Sequence, residues 1–123
     1  MNLVRVEPSG ANVLRKGDFT IEVPERLVGD LGGHDELVVG FRPEHLDLSQ
    51  PSRDACAIPA TVEVTEYLGD DQLVHLRAGE ESIVASIPAD QRLAPGEDVR
   101  LYVPLEKLHL FDAATDEAIA GGR

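Results

Sequence analysis

Arg42, Pro43, Glu44 and His45 are the four consecutive residues of this chain that carry the most chemistry. A guanidinium, a carboxylate and an imidazole follow directly on the apolar run "LVVGF". General acid–base work, anion binding and metal ligation are all within their means, but each needs partners. A catalytic acid or base needs a second titratable group, and a metal needs further ligands at set spacing. His34, His75 and His109 form no H-x3-H or H-E-x-x-H pattern with His45 or with one another. The lone Cys56 excludes both a thiolate-rich zinc site within one chain and an internal disulfide, and it fits a reducing compartment. No G-x-S-x-G elbow surrounds Ser9, Ser49, Ser52, Ser82 or Ser86. The lysines are Lys16 and Lys107, preceded by Arg15 and Glu106, so the G-x-x-x-x-G-K-[ST] phosphate cradle does not occur. The residues therefore point to no catalytic, cofactor-binding or metal site.

Two shorter stretches invite a functional reading and fail it. Gly69-Asp70-Asp71 repeats the letters of a polymerase metal turn, but turn chemistry at a hairpin bend explains them. "LGGHD" (31–35) shares its glycine pair with the L-S-G-G-Q signature of ABC ATPases. It lacks the serine and leads into a strand-like run rather than a helix, so it reads as a glycine turn.

The elements that would position these residues are strands. Period-two alternation is common and helical periodicity nearly absent. Phe19, Ile21 and Val23 alternate with Thr20 and Glu22; Val99, Leu101 and Val103 alternate with Arg100 and Tyr102. "TVEVTEY" places Val62 and Val64 on one face and Thr61, Glu63 and Thr65 on the other. "LVRV", "ELVVGF", "QLVHLRA", "SIVASI" and "KLHLF" are further strand candidates, and "EYLGDDQLVHL" reads as a hairpin. With 11 Gly and 8 Pro between short strands, the expected class is all-β and barrel-like.

One device recurs. In "EVPERL" (22–27), "FRPEHL" (41–46), "SIPADQRL" (86–93) and "YVPLEKL" (102–108) an apolar segment runs into Pro, then an acid, a cation and Leu. Proline ends the ladder because it lacks the amide proton, and its fixed φ suits the first turn of a 3₁₀ segment. The Leu can then fold back as a plug. Arg42-Pro43-Glu44-His45 thus reads first as one of four structural corners.

The totals narrow the function classes. Eleven basic against 23 acidic residues leave a net charge of −12, which opposes binding to nucleic acid or to an anionic membrane surface. The aromatics Phe19, Phe41, Phe111, Tyr67 and Tyr102 do not form the basic stacking groove that single strands need. No apolar run approaches the ~18 residues of a membrane helix, and the first residues do not resemble a signal peptide. "SQPSRDACAIP" (49–59) is the linker candidate, and "DAATDEAIAGGR" is expected to turn and then fray.

Several stretches in order resemble a known family. "VGFRPEHLDL" is similar to the G-[IV]-R-P-E-H-[LI] element in the C-terminal part of ABC importer ATPases of the maltose and glycerol-3-phosphate type, with Phe41 where Ile or Val is commoner. "VEVTEYLGDDQLVHLR" resembles the start of that family's TOBE segment, the transport-associated OB fold, and "LYVPLEKLHLFDAATDEAI" its end. "MNL" matches the start of this region. The resemblance implies two intertwined OB-like β-barrels with short 3₁₀ corners, of the TOBE and molybdate-binding kind. The first would combine residues 1–55 with 105–123, and the second would be 56–104. It further implies a non-catalytic regulatory and dimerisation domain of an importer's ATP-binding subunit, at the cytoplasmic face of the membrane. The ATPase domain is absent from this chain; the parent subunit would use ATP and Mg. Partners implied are a second copy, the parent ATPase domain, the importer's membrane subunits, and a regulatory protein or small effector. Arg42, Pro43, Glu44 and His45 match the family hallmark and are expected in a structural or interface role, with a local or inter-barrel Arg42–Glu44 ion pair. The alternative is a free-standing binder of a small oxyanion such as molybdate.

Overall fold

A computed structural model describes residues 1–10, 12–25, 31, 34–51 and 54–121. Among the described residues ten antiparallel strands carry the fold: β1 (Asn2–Ser9), β2 (Val13–Lys16), β3 (Phe19–Glu22), β4 (Leu37–Phe41), β5 (Ala55–Leu68), β6 (Asp71–Ala78), β7 (Glu81–Pro88), β8 (Asp98–Pro104), β9 (His109–Asp112) and β10 (Ala118–Gly121). The all-β class expected from alternation is what the chain adopts. Val4 and Val6 of β1, Ile83, Ala85 and Ile87 of β7, and Leu101 and Val103 of β8 point inward at every second position.

The strands connect along one path, β10-β9-β4-β1-β2-β3-β5-β6-β7, with β8 added to β5. Two strands serve two neighbours in succession. Asn2–Val6 pair with β4, and Glu7–Ser9 pair with β2. Ala55–Thr61 pair with β8, and Thr61–Leu68 pair with β6. The C-terminal strand β9 returns to lie against β4, with Val39 opposite Leu110. Among the described residues a single apolar cluster runs from Val4 through Phe19, Ile58 and Val74 to Leu110, so strands from both ends and the middle of the chain share one core.

Two side-chain ties reinforce the path. The Asn2 amide donates to the Val84 carbonyl at 3.0 Å and accepts from the Val84 amide at 3.1 Å. It thereby replaces one rung of a strand on the open edge of β7. Gln72, fully buried, donates from its amide to the carbonyls of Pro88 and Gln91 and holds the corner after β7. The exposed ion pairs Arg5–Glu36, Arg77–Glu63 and Arg100–Glu22 add little by comparison.

Three sequence expectations change. Val62 is 1% exposed while Val64 is 54% exposed, so they do not share a face. The ladder sets Val62 opposite Leu76 and Val64 opposite His75, which leaves Glu63 as a bulge residue that inverts the alternation. The linker 49–59 is not a linker throughout: β5 begins at Ala55, and Cys56 and Ile58 are fully buried. Bonding to β8 along one edge makes that stretch a strand; Ser52 and Arg53 lie outside the described residues. The tail pairs as β10 against β9 before its last two residues, which are also outside. β2, whose "VLRK" holds only a short apolar pair and is not among the strand candidates, forms because Leu14 packs into the core.

Candidate functional site at two corner turns

The hallmark turn is built as its sequence dictates. β4 ends at the fully buried Phe41. Arg42 is extended (φ −89°, ψ 146°), the conformation that a following proline enforces. Pro43–His45 form a 3₁₀ turn, closed by the His45 amide on the Arg42 carbonyl at 3.0 Å. Leu46, 4% exposed, then drops into the core as the plug. The corner at Pro104 repeats this, with a 3₁₀ turn at Leu105–Lys107 and Leu108 fully buried. After β7, Gln91 closes on the Pro88 carbonyl at 3.1 Å and Leu93 packs against the core. Of "EVPERL", Arg26 and Leu27 lie outside the described residues, as do Gly32 and Gly33 of the glycine turn.

The topology brings the two 3₁₀ corners to one cleft of about 230 Å³. Glu44, His45 and Asp47 line one side, and Tyr102, Pro104 and Lys107 the other. A backbone bridge holds the walls together: Asp47 donates to the Tyr102 carbonyl at 2.9 Å, and Tyr102 donates back at 2.8 Å. His45 Nδ1 is buried without a hydrogen-bond partner. Arg42 and Glu44 are exposed, and the expected ion pair between them is not among the contacts of the described residues. Two solvated charges gain little by pairing locally.

The other three histidines are engaged separately. His34 Nδ1 lies 2.6 Å from Asp112 Oδ2, His75 Nε2 lies 3.0 Å from Glu66 Oε1, and the His109 ring is parallel to Phe111 with centroids 6.3 Å apart. Among the described residues no three His, Cys, Asp or Glu side chains come together as metal ligands. Burial, with the Asp54 charge as a smaller cause, pushes the Cys56 thiol up to about 12, so it stays a thiol. The expected GDD bend is a Gly69–Asp70 turn with Asp71 already in β6. Lys16 is in exposed contact with Glu81, and Lys107 sits in the proline-walled cleft.

Asp112 is the clearest electrostatic feature. The His34 hydrogen bond, then the Ala114 and Thr115 amides, hold its carboxyl below the usual carboxylate range, against opposing burial. A depressed acid contributes stability above its unfolded pKa and loses it as pH falls through the folded value. The Asp112→Asn variant is therefore expected to be less stable than the parent at pH 7, with the gap closing below about pH 4. Urea midpoints at pH 7 and pH 3 check this; a gap independent of pH would refute it.

Sequence reading missed Asn2 and Gln72, because neither has a local signal; their partners lie 82, 16 and 19 residues away.

Comparison with known proteins adds to this geometry. The model of the MalK OB fold domain matches residues 1–46, and the model of the TOBE domain matches residues 39–111. The two matches overlap on the end of β4 and the hallmark turn. The sulfoquinovosyl glycerol transport ATP-binding protein SmoE of Agrobacterium fabrum is 40% identical over 96 residues, covering 78% of this chain and 26% of the relative. The sn-glycerol-3-phosphate import ATP-binding protein UgpC of Salmonella choleraesuis is 36% identical over 121 residues, covering 97% and 33%. UgpC of Escherichia coli O6:K15:H31 is 36% identical over 84 residues, covering 68% and 23%. The chain thus spans a third or less of the length of these relatives.

Proposed function

Because this chain belongs to the TOBE-domain family, with a MalK-type OB-fold segment leading into it, we propose that it is the non-catalytic regulatory and dimerisation part of an ATP-binding subunit of an ABC importer for a sugar or a glycerol phosphate. The observation that carries this reading is the continuity of the two matched segments through one turn and one core. The printed activities of the relatives support the solute class. In this reading residues 1–55 with 105–123 make one OB-like barrel and 56–104 the other; the pairing of β9 with β4 supports the assignment of the C-terminal strands to the first. The parent subunit binds ATP and Mg in its own ATPase domain and works at the cytoplasmic face of the membrane beside the membrane subunits. No helix among the described residues is long and apolar enough to cross a membrane. A regulatory protein or small effector acts through this domain.

The direct test is to sequence the genomic DNA upstream of the Met1 codon. An in-frame segment encoding the phosphate cradle and the L-S-G-G-Q signature supports the reading. A stop codon followed by a ribosome-binding site overturns it and favours a free-standing small-ligand module.

Arg42, Pro43, Glu44 and His45 serve here as a structural and interface element. Arg42 and Glu44 are exposed, available to a second copy. The isolated chain is expected to dimerise, and Arg42→Ala to weaken the dimer about tenfold, or ~1.4 kcal/mol. Sedimentation equilibrium and thermal melts measure this; unchanged self-association together with an unchanged Tm removes Arg42 from the role.

A further inference from the structure

Among the described residues five large apolar side chains are more than half exposed, and three of them lie together at the end of β5: Val64 at 54%, Tyr67 at 58% and Leu68 at 57%. The same segment has an open backbone edge. β6 occupies one edge of β5 as far as Leu68, while β8 leaves the other at the pair Thr61–Asp98. The last bonds on that side run from the Val62 amide to the Glu97 carbonyl at 2.9 Å and from the Gly96 amide to the Val62 carbonyl at 2.7 Å. Among the described residues nothing pairs that edge from Glu63 to Leu68. Open edges with exposed apolar side chains recruit another strand unless something opposes it.

Charge decides which strand. Past the bulge, Val64, Glu66 and Leu68 share one face of the strand. Glu63, Glu66, Asp70 and Asp71 crowd the hairpin, with Arg77 as the facing guanidinium, bonded to Glu63 at 3.2 Å, and Glu66 bonded to His75. Two copies paired about a two-fold axis keep the same face of each strand uppermost, so only residues of like parity face each other. A register centred on Glu66 pairs Val64 with Leu68 but sets that carboxylate against its twin at the centre. A register centred on Thr65 sets Val64 against Glu66 and Glu63 against Tyr67. Neither is favourable, because like charges directly opposite destabilise a ladder and an acid opposite an apolar group gains nothing.

We propose that the Glu63–Leu68 edge of β5 receives an extended segment of a partner protein, added as an antiparallel strand with the pattern apolar-x-cation-x-apolar. The cation meets Glu66, the apolar residues meet Val64 and Leu68, and the backbone bonds close the open edge. The proposal rests on this edge alone and stands whether or not the importer reading does.

The test uses the full 123-residue chain and two capped heptapeptides, Thr-Val-Thr-Lys-Thr-Val-Thr and its twin with Glu in place of Lys. Each is titrated while amide chemical shifts and hydrogen exchange are followed. The expected result is that the Lys peptide shifts and protects amides between residues 63 and 68, binding about tenfold tighter than the Glu peptide. Glu66→Lys should reverse that preference, and Val64→Thr with Leu68→Thr should weaken both. Lys-peptide titration without change at 63–68, or equal binding of the two peptides, overturns the proposal. So does a concentration-dependent shift of these amides without peptide, which would make a second copy the occupant.

Discussion

Gly79→Ala is expected to lower stability by about 3 kcal/mol, a fall in Tm on the order of 10 °C. The turn after β6 meets the turn before β3 so closely that a Cβ on Gly79 would lie 2.3 Å from the Phe19 amide nitrogen and 2.5 Å from the Asp18 carbonyl carbon. Both are backbone atoms, and Phe19 is a fully buried core residue, so neither turn can yield without disturbing the core. Lys16 bonded to Glu81 at 3.4 Å spans the same junction. Gly79 also has φ +62°, which costs an alanine roughly 1 kcal/mol by itself. Gly69→Ala separates the two causes. Its φ is +72° but nothing lies within 4 Å of the added carbon, so only the conformational cost of about 1 kcal/mol should appear. Urea denaturation of both variants decides the matter: equal losses would mean that the turns do not touch as described.

Gln72→Glu should be as damaging at neutral pH, by about 3–5 kcal/mol. The side-chain amide of Gln72 is enclosed and donates to the carbonyls of Pro88, at 3.1 Å, and Gln91. A carboxylate there has no proton to give and faces two carbonyl oxygens in a site closed to water. Burial would raise the pKa of the introduced acid above its unfolded value, so the penalty is largest at neutral pH and shrinks as pH falls toward about 4. Gln72→Leu removes the donor without adding charge and should cost less, about 1–2 kcal/mol, because Pro88 keeps the Gln91 amide as a partner. Melts of the three proteins at pH 7 and pH 4.5 test the order. If Gln72→Glu and Gln72→Leu melted together at both values, Gln72 would not be the enclosed donor described.

The hallmark corner was largely legible before the structure. Pro43 sets its own φ and that of Arg42, the missing amide stops β4, and Leu46 is the next apolar residue to reach the core. Each of these is a property of three or four adjacent residues. What faces that corner was not legible. Tyr102, Pro104 and Lys107 are more than fifty residues further on, and long-range pairing, including the bridge between Asp47 and Tyr102, brings them to the cleft.

By itself, then, the sequence determined the all-β class, most strand positions, the proline corners and the absence of a phosphate cradle, because these depend on local alternation, on proline geometry and on which residue types are present. The tertiary structure decided the rest. A single bulge residue, Glu63, turned Val64 outward against its own alternation. Pairing with β8 made a strand of an apparent linker, and burial made an anchor of Gln72. Those outcomes depend on neighbours distant in sequence, and a strand's face, edge and partner exist only once those neighbours are in place.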